Sequence, residues 1–146
     1  MSFEAERSER DRFFDEILAL AAVIEVDPAA LPAREREADA YEPYWLDVRG
    51  FPPNFVYSLF YEERGERQVL AESIRGDDVM EAIFKRATQS AATRIELQHR
   101  RPDEDSRRQW FALQAEMMER LKPEWGQRLR AHQNIILQRS PFDDKT

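Results

Sequence analysis

The amino-acid sequence predicts an α+β fold in which a small three-stranded antiparallel sheet is packed by about four helices. Three observations support this class. Residues 55–61 are almost entirely aromatic, β-branched or leucine, which is typical of a β-strand. This run ends at a charged segment that contains a glycine, which is typical of a turn. On both sides of this region apolar residues recur at helical spacing, so the predicted order is helix, strands, helices.

The first predicted helix covers residues 4–25. Its apolar residues recur at the spacing of one helical face: Phe13, Ile17, Leu20 and Ile24. Acidic residues cluster at its start, where they suit the helix dipole. The helix is expected to end at Asp27, because a residue before proline disfavours helical backbone. Residues 27–42 have little apolar surface to bury and are predicted to form a loop, with a short exposed helix as the alternative from residue 29 onward.

The sheet is predicted over residues 43–75. Its central strand, residues 54–63, is apolar on both faces, which is typical of an inner strand covered on both sides. The first strand covers residues 43–49, and the return strand covers residues 67–75. Simple alternation along the return strand assigns two faces, one with Val69, Ala71 and Ser73 and the other with Leu70, Glu72 and Ile74.

The C-terminal helices are predicted over residues 78–140, and the whole chain, residues 1–146, is predicted to be a single domain. The arginine pair Arg107–Arg108 falls near the start of a helix, where the dipole disfavours cations. These arginines are therefore expected to have carboxylate partners, either within the fold, which we favour, or on another protein. The last residues, from Phe142, are interpreted as a tail.

Composition excludes several classes of protein. The chain contains no cysteine, which excludes a disulfide framework and thiolate metal sites. The net charge of −7 falls entirely in the first 50 residues, so nucleic acid is not an expected ligand, whereas a basic protein partner is compatible. No run is long and apolar enough to suggest a membrane span, and the first residues do not resemble an export signal. The sequence therefore predicts a cytoplasmic protein.

The sequence contains no recognisable catalytic or cofactor-binding motif. Its two histidines, His99 and His132, lack the spacing of a metal site, and its glycines form no phosphate-binding loop. Paired carboxylates such as Glu62–Glu63 lie at turns and helix starts, where solvated acids are expected. A hydrolase that uses one such pair remains an alternative, and it would require a carboxylate in a cleft with a strongly perturbed pKa. We expect no enzyme activity, no metal and no cofactor.

A longer pattern of residues resembles a known family. It comprises Tyr57-x-Leu59-Phe60-x-Glu62-Glu63-Arg64-Gly65, Asp77-Asp78, Ile95 to Arg100, Asp105-x-Arg107-Arg108, Leu121-x-Pro123-Glu124-Trp125 and Ser140-Pro141-Phe142-Asp143-Asp144. Over about residues 54–144 this order is similar to the immunity protein 63 family, which is encoded beside bacterial polymorphic toxins. The resemblance implies a protein that binds a cognate toxin and neutralises it during interbacterial competition. It implies neither catalysis nor a cofactor.

A surplus of acid suits association with a toxin that has a basic cleft. The residues best placed for such contacts lie on loops beside the sheet, in the acidic N-terminal region and at the charged hairpin tip: Asp39, Glu42, Asp47, Glu62, Glu63 and Arg64. An alternative function is an effector adaptor or chaperone, which binds a secreted toxin without inhibiting it. Such a protein would share the acidic surface, but it would alter delivery of the toxin and would not rescue cells.

Overall fold

The structure is a computed structural model that describes residues 2–36 and 42–145. This part of the chain forms four α-helices and one three-stranded antiparallel sheet, so the predicted α+β class is confirmed. The elements in chain order are α1 (Ser2–Val23), β1 (Tyr44–Phe51), β2 (Asn54–Glu63), β3 (Glu66–Ser73), α2 (Gly76–Gln98), α3 (Arg107–Leu121) and α4 (Pro123–Arg139).

The chain divides into two compact units. The first comprises residues up to Ala22 together with Asp27–Ile83, and it contains the sheet. The second comprises Val23–Val26 and the residues from Phe84 onward, and it contains α3 and α4. The single domain predicted over residues 1–146 stays a prediction.

The element boundaries differ slightly from those predicted. Helix α1 ends at Val23, two residues early, and Glu25 turns the backbone with a φ of 55°. The predicted loop, residues 27–42, contains a short 3₁₀ helix, Pro28–Ala30, whose first turn is capped by the Asp27 carboxylate. Ala33 then forms a parallel β-bridge with Trp45 of β1. The Ala33 backbone N–H donates to the carbonyl oxygen of Tyr44 at 2.9 Å, and the Ala33 carbonyl oxygen accepts from the backbone N–H of Leu46 at 3.0 Å. Residues 37–41 of this loop lie outside the described residues.

Strand β2 lies between β1 and β3, as predicted. On the face of the sheet that we call the inner face, Leu46 pairs with Leu59 and Val48 pairs with Tyr57, and all four side chains are buried. Phe13 of α1 covers this face, with its ring centroid 4.8 Å from that of Tyr57. The apolar stripe of α1 therefore supplies the inner core of the first unit.

A polar contact joins α1 to the inner face beside these rings. The Tyr57 hydroxyl donates a short hydrogen bond to the Glu9 carboxylate, which also accepts from Arg12. Burial, followed by the neighbouring Glu9, raises the pKa of Tyr57 to about 12. The Arg12 guanidinium holds the pKa of Glu9 below its ordinary value. Tyr57 thus stays a neutral donor and Glu9 a charged acceptor across the neutral pH range.

The faces predicted for the return strand are wrong at one residue. The pairing of β3 with β2 shifts between Leu59 and Phe60, so that Ala71 pairs with Leu59 while Val69 pairs with Phe60. Leu70 is the extra residue of this β-bulge. Because of it, Val69 lies on the same face as Glu72, whereas strict alternation had separated the two.

Helix α2 begins at Gly76, two residues before the predicted start. The Ser73 hydroxyl accepts from the backbone N–H of Arg75 and donates to the Asp78 carboxylate, which stabilises the turn into the helix. Gly76 lies against the inner core, since a Cβ placed there would be only 2.9 Å from the Phe13 ring. The close approach of this backbone to Phe13 therefore requires glycine.

The second unit has its own core. Trp125 of α4 is fully buried and stacks with Phe84 of α2 at a centroid separation of 6.0 Å. Phe111 and Met118 of α3 and Leu129 of α4 are also buried. Three helices thus contribute large side chains to one apolar cluster, which is the usual arrangement of a small helical unit.

The C-terminal segment is held by a set of polar contacts that we call the clasp, formed by Asp105, Arg107 and Arg108 with residues 140–145. The Asp144 carboxylate accepts from Arg108 Nε at 3.0 Å and from the Asp105 backbone N–H at 2.8 Å. The Arg107 guanidinium pairs with the Asp105 carboxylate at 2.8 Å and donates to the carbonyl oxygens of Ser140 and Pro141, both at 2.9 Å.

The contacts of the clasp test two predictions made from the sequence. The arginine pair has its carboxylate partners within the fold, which confirms the favoured expectation. The interpretation of the last residues as a tail is wrong, because the Arg108 guanidinium lies 4.2 Å from the centroid of the Phe142 ring and the Asp143 backbone N–H donates to Asp105. These contacts join positions that are more than 30 residues apart, and therefore tie the chain end to the start of α3.

The clasp predicts a specific dependence of stability on pH. Hydrogen bonds from Arg107, and then from the Asp143 backbone, hold the pKa of Asp105 well below its ordinary value. A carboxyl whose folded-state pKa is depressed stabilises the fold above its unfolded-state pKa of about 3.9 and loses that contribution as the pH falls further. Asp105→Asn should therefore be less stable than the wild type at pH 7, and the difference should shrink below about pH 4.

Urea unfolding of both proteins at several pH values between 7 and 2 measures this difference. Glu116→Gln, which removes an exposed acid from α3, serves as the control and should show little change. A difference between wild type and Asp105→Asn that stays constant down to pH 2 would contradict a charge-dependent clasp.

Candidate functional site

The candidate site is built on the outer face of the sheet, which is the side opposite Tyr57. By the register, it carries Trp45, Asp47, Arg49 and Phe51 of β1, alternate residues of β2 from Asn54 to Glu62, and Arg67, Val69 and Glu72 of β3. These positions share a face because side chains alternate along each strand and the bulge at Leu70 returns Val69 to this side.

An aromatic pair lies at one end of the outer face. The Trp45 and Phe60 rings have centroids 5.4 Å apart, and both residues are buried. The Arg36 guanidinium lies 4.5 Å from the Trp45 centroid, and the Arg67 guanidinium lies 5.3 Å from it. These cation–π contacts cover apolar surface that would otherwise be exposed. The Trp45–Phe60 pair is therefore part of the packing of the sheet.

Glu62 belongs to this same cluster. Its carboxylate forms a short ion pair with Arg36, which holds the pKa of Glu62 below its ordinary value. One predicted partner-binding acid is thus already engaged by an arginine of the chain. An incoming partner would have to compete with Arg36 for this carboxylate.

A polar row crosses the middle of the outer face. Ser58 lies at its centre, pairs with Asp47 on one side and Glu72 on the other, and is 5% exposed. The Ser58 hydroxyl donates to the Glu72 carboxylate at 3.1 Å. Asp47 forms an ion pair of 2.7 Å with Arg49. This row presents two carboxylates, but one of the two is balanced by a neighbouring arginine.

Large apolar side chains are exposed around this row. Phe51 is 64% exposed, Val69 is 56% exposed, and Ile74, the residue that follows β3, is 77% exposed. Val56, which lies between them in the sheet, is partly exposed. The register places Phe51, Val56 and Val69 on the outer face, and Ile74 follows the end of its third strand. Exposed apolar residues grouped beside charged ones are typical of a protein-binding surface.

The β2–β3 hairpin tip lies at the end of the strands. Arg64 and Gly65 both have positive φ, 53° and 79°, which is the conformation of a two-residue type I′ turn. Glu63 and Arg64 are exposed, and they line a shallow polar concavity with Glu66 and Gln68. The tip therefore presents charged groups of both signs from a short, defined turn.

The six residues predicted to contact a partner are distributed as follows. Asp47 and Glu62 lie on the outer face, where Asp47 pairs with Arg49 and Glu62 pairs with Arg36. Glu63 and Arg64 lie at the hairpin tip. Glu42 precedes β1 and is partly buried. Asp39 lies outside the described residues. Sequence reasoning did not place Val69 on the outer face, because the bulge at Leu70 changes the face on which Val69 lies. It did not identify Glu72 either, because the pairing of Glu72 with Ser58 depends on the strand register.

The described residues form neither a metal site nor a membrane-spanning helix. Within residues 2–36 and 42–145, no three His, Cys, Asp or Glu side chains come together as a metal site. No helix in that part of the chain has the length and apolar content needed to span a membrane.

Comparison with known proteins identifies the family. A family model described as immunity protein 63 matches residues 53–135, more than half of the chain. The chain belongs to the immunity protein 63 family. The matched segment contains β2, β3, α2, α3 and most of α4, whereas α1, β1 and the chain end held by the clasp lie outside it. No curated protein and no solved structure matches the chain.

The geometry of the hairpin tip predicts the cost of changing its glycine. An added Cβ at Gly65 would meet no atom within 4 Å, so the cost comes from backbone conformation alone. Gly65→Ala should lower the free energy of unfolding by about 1–2 kcal/mol, because φ is positive there. Gly65→Asn should cost less, since asparagine adopts this conformation more readily. Chemical denaturation of the three proteins measures the difference, and equal stability of the Ala and Gly forms would refute the turn geometry.

Proposed function

We propose that this immunity-family protein binds a cognate bacterial toxin and neutralises it in the cytosol of the producing cell. Membership of the immunity protein 63 family is the observation that carries this proposal. Toxin inhibition by binding requires a complementary surface, and it requires no reaction at the inhibitor. The grouping of exposed apolar and charged side chains on the outer face of the sheet supplies a surface of this kind.

We further propose that the protein acts without catalysis. Several of the carboxylate pairs that suggested a hydrolase have members that are engaged in the fold. Asp78 accepts from Ser73, and Asp105 and Asp144 are held by arginines in the clasp. Glu62 is paired with Arg36. An acid in an ion pair of this kind has a lowered pKa, which suits a structural carboxylate better than a general acid.

The contact surface proposed for the toxin is the outer face together with the hairpin tip. This surface contains the predicted residues Asp47, Glu62, Glu63 and Arg64 and adds Phe51, Val69 and Ile74. The predicted acids Asp39 and Glu42, which precede β1 in the sequence, stay proposed contacts beside it. Charged groups at the rim of an interface act mainly on association rate and specificity, whereas desolvated apolar residues near its centre contribute most of the affinity. The apolar residues are therefore expected to matter most for the lifetime of the complex.

The function is tested by co-expression with a candidate toxin domain. The protein should restore growth of cells that make the toxin internally, and the purified pair should form a stoichiometric complex. An adaptor or chaperone would form the complex and leave the toxin active, so complex formation without growth rescue would favour that alternative. Restored growth without a complex would exclude neutralisation by binding.

The proposed surface is tested by trimming exposed apolar residues. Phe51→Ala and Val69→Ala should each weaken toxin binding by roughly tenfold, chiefly by faster dissociation, because each removes a side chain that the complex would bury. Leu97→Ala and Ile135→Ala, which remove exposed apolar residues from α2 and α4, are matched controls and should change binding little. Calorimetry or surface-based kinetics gives both values. A larger loss of toxin affinity in the two helix variants than in the two sheet variants would show that the interface does not lie on the outer face.

A further inference from the structure

A groove runs between α2, α3 and α4 in the second unit, and none of its lining residues belongs to the proposed toxin surface. Its volume is about 270 Å³, close to the lower limit of small-molecule sites. Phe111 and Leu129 are buried in its wall, and Trp110 is partly buried. The Trp110 ring meets the Phe111 ring edge to face at a centroid separation of 4.5 Å. The groove thus offers an aromatic wall to a ligand of moderate size.

Two buried glutamines line the same groove. Gln114 is 2% exposed and Gln133 is 8% exposed. Gln114 Nε2 donates to the carbonyl oxygen of Lys85 at 3.0 Å, and Gln133 Nε2 donates to that of Phe111 at 2.9 Å. These hydrogen bonds join neighbouring helices and fix the orientation of both amides. The amide oxygen of each side chain takes no part in these two hydrogen bonds, and it is an acceptor with two lone pairs.

The charge at the groove contrasts with that of the chain as a whole. The protein carries a net charge of −7, yet the ionisable residues lining this groove are Lys85, Arg107 and His132. Arg107 is neutralised by Asp105 in the clasp. Lys85 is exposed and supplies a cation at the edge of the apolar groove. A ligand with an apolar body and one negative charge is complementary to this arrangement.

We infer that the groove binds a small aromatic carboxylate that carries an N–H donor. The aromatic body lies against Trp110, the carboxylate faces Lys85, and the N–H donates to an amide oxygen of Gln114 or Gln133. This ligand class follows from the shape, hydrogen-bonding groups and charge of the groove, and it does not depend on the proposed toxin inhibition. The same chemistry is offered by a free metabolite and by a tryptophan at the C-terminus of a peptide.

The test uses indole-3-propionate and its neutral amide as probes, observed by NMR of the purified full-length protein. Indole-3-propionate should shift the side-chain amide signals of Gln114 and Gln133 and the indole N–H signal of Trp110. The neutral amide has the same shape without the charge, so it should bind about three- to tenfold more weakly. A capped peptide that ends in a free tryptophan carboxylate distinguishes the second source: tighter binding than indole-3-propionate assigns a chain terminus, and weaker binding assigns a free molecule.

Matched variants test the role of the charge. Lys85→Glu should weaken binding of indole-3-propionate by about three- to tenfold and leave binding of the amide nearly unchanged. Arg94→Glu makes the same kind of charge change at an exposed position nine residues after Lys85 in α2, which places it on the opposite side of that helix. It should leave both probes unaffected. Shifts spread over the whole protein, equal affinity for the two probes, or equal effects of the two variants would each overturn the inference.

Discussion

Burial of β2 on both faces is the constraint on which the sheet depends. A three-stranded sheet needs an apolar face covered by another element in order to be stable. On the inner face this cover comes from α1, whose Phe13 packs on Tyr57. On the outer face the Trp45–Phe60 pair is covered by the guanidinium groups of Arg36 and Arg67. Helix α1, β1 and Arg36 all precede the segment that matches the family, so the two matched strands, β2 and β3, rely on the N-terminal third to complete and cover their sheet.

The central strand and its turn could be predicted because their signals are local. A run of aromatic and β-branched residues and a glycine in a charged turn are properties of consecutive positions. The bulge at Leu70 is different, since it arises from how β3 pairs with β2 and leaves no mark in the composition of either strand. A one-residue change of register moves a side chain to the other face. The exposed Val69 was therefore beyond the reach of sequence reasoning, although the strand that carries it was not.

The clasp shows the same division between local and long-range information. Two arginines at the start of a helix predict that carboxylates lie nearby, because the helix dipole disfavours uncompensated cations there. Asp105, two residues before Arg107, could have been proposed as one partner. Asp144 could not, since it lies 36 residues from Arg108, beyond the proline that follows the last helix, in a short segment that resembles a free chain end. Such long-range pairs are set by the packing of α3 and α4, which fixes where the chain end lies.

Ion pairs within the fold compensate part of the negative charge of the chain. The sequence places the whole net charge in the first 50 residues and suggests an acidic docking surface. In the folded protein, several of these acids are balanced by arginines: Asp11 by Arg34, Glu35 by Arg10 and Asp47 by Arg49. A carboxylate beside a guanidinium produces a weak field at a distance, because the two charges nearly cancel. On the outer face itself, Asp47 and Glu62 are each paired with an arginine, so these two acids contribute little to its local potential. The apolar side chains of Phe51, Val69 and Ile74 are exposed to water in the folded protein. A partner that covers them gains the free energy of removing them from water.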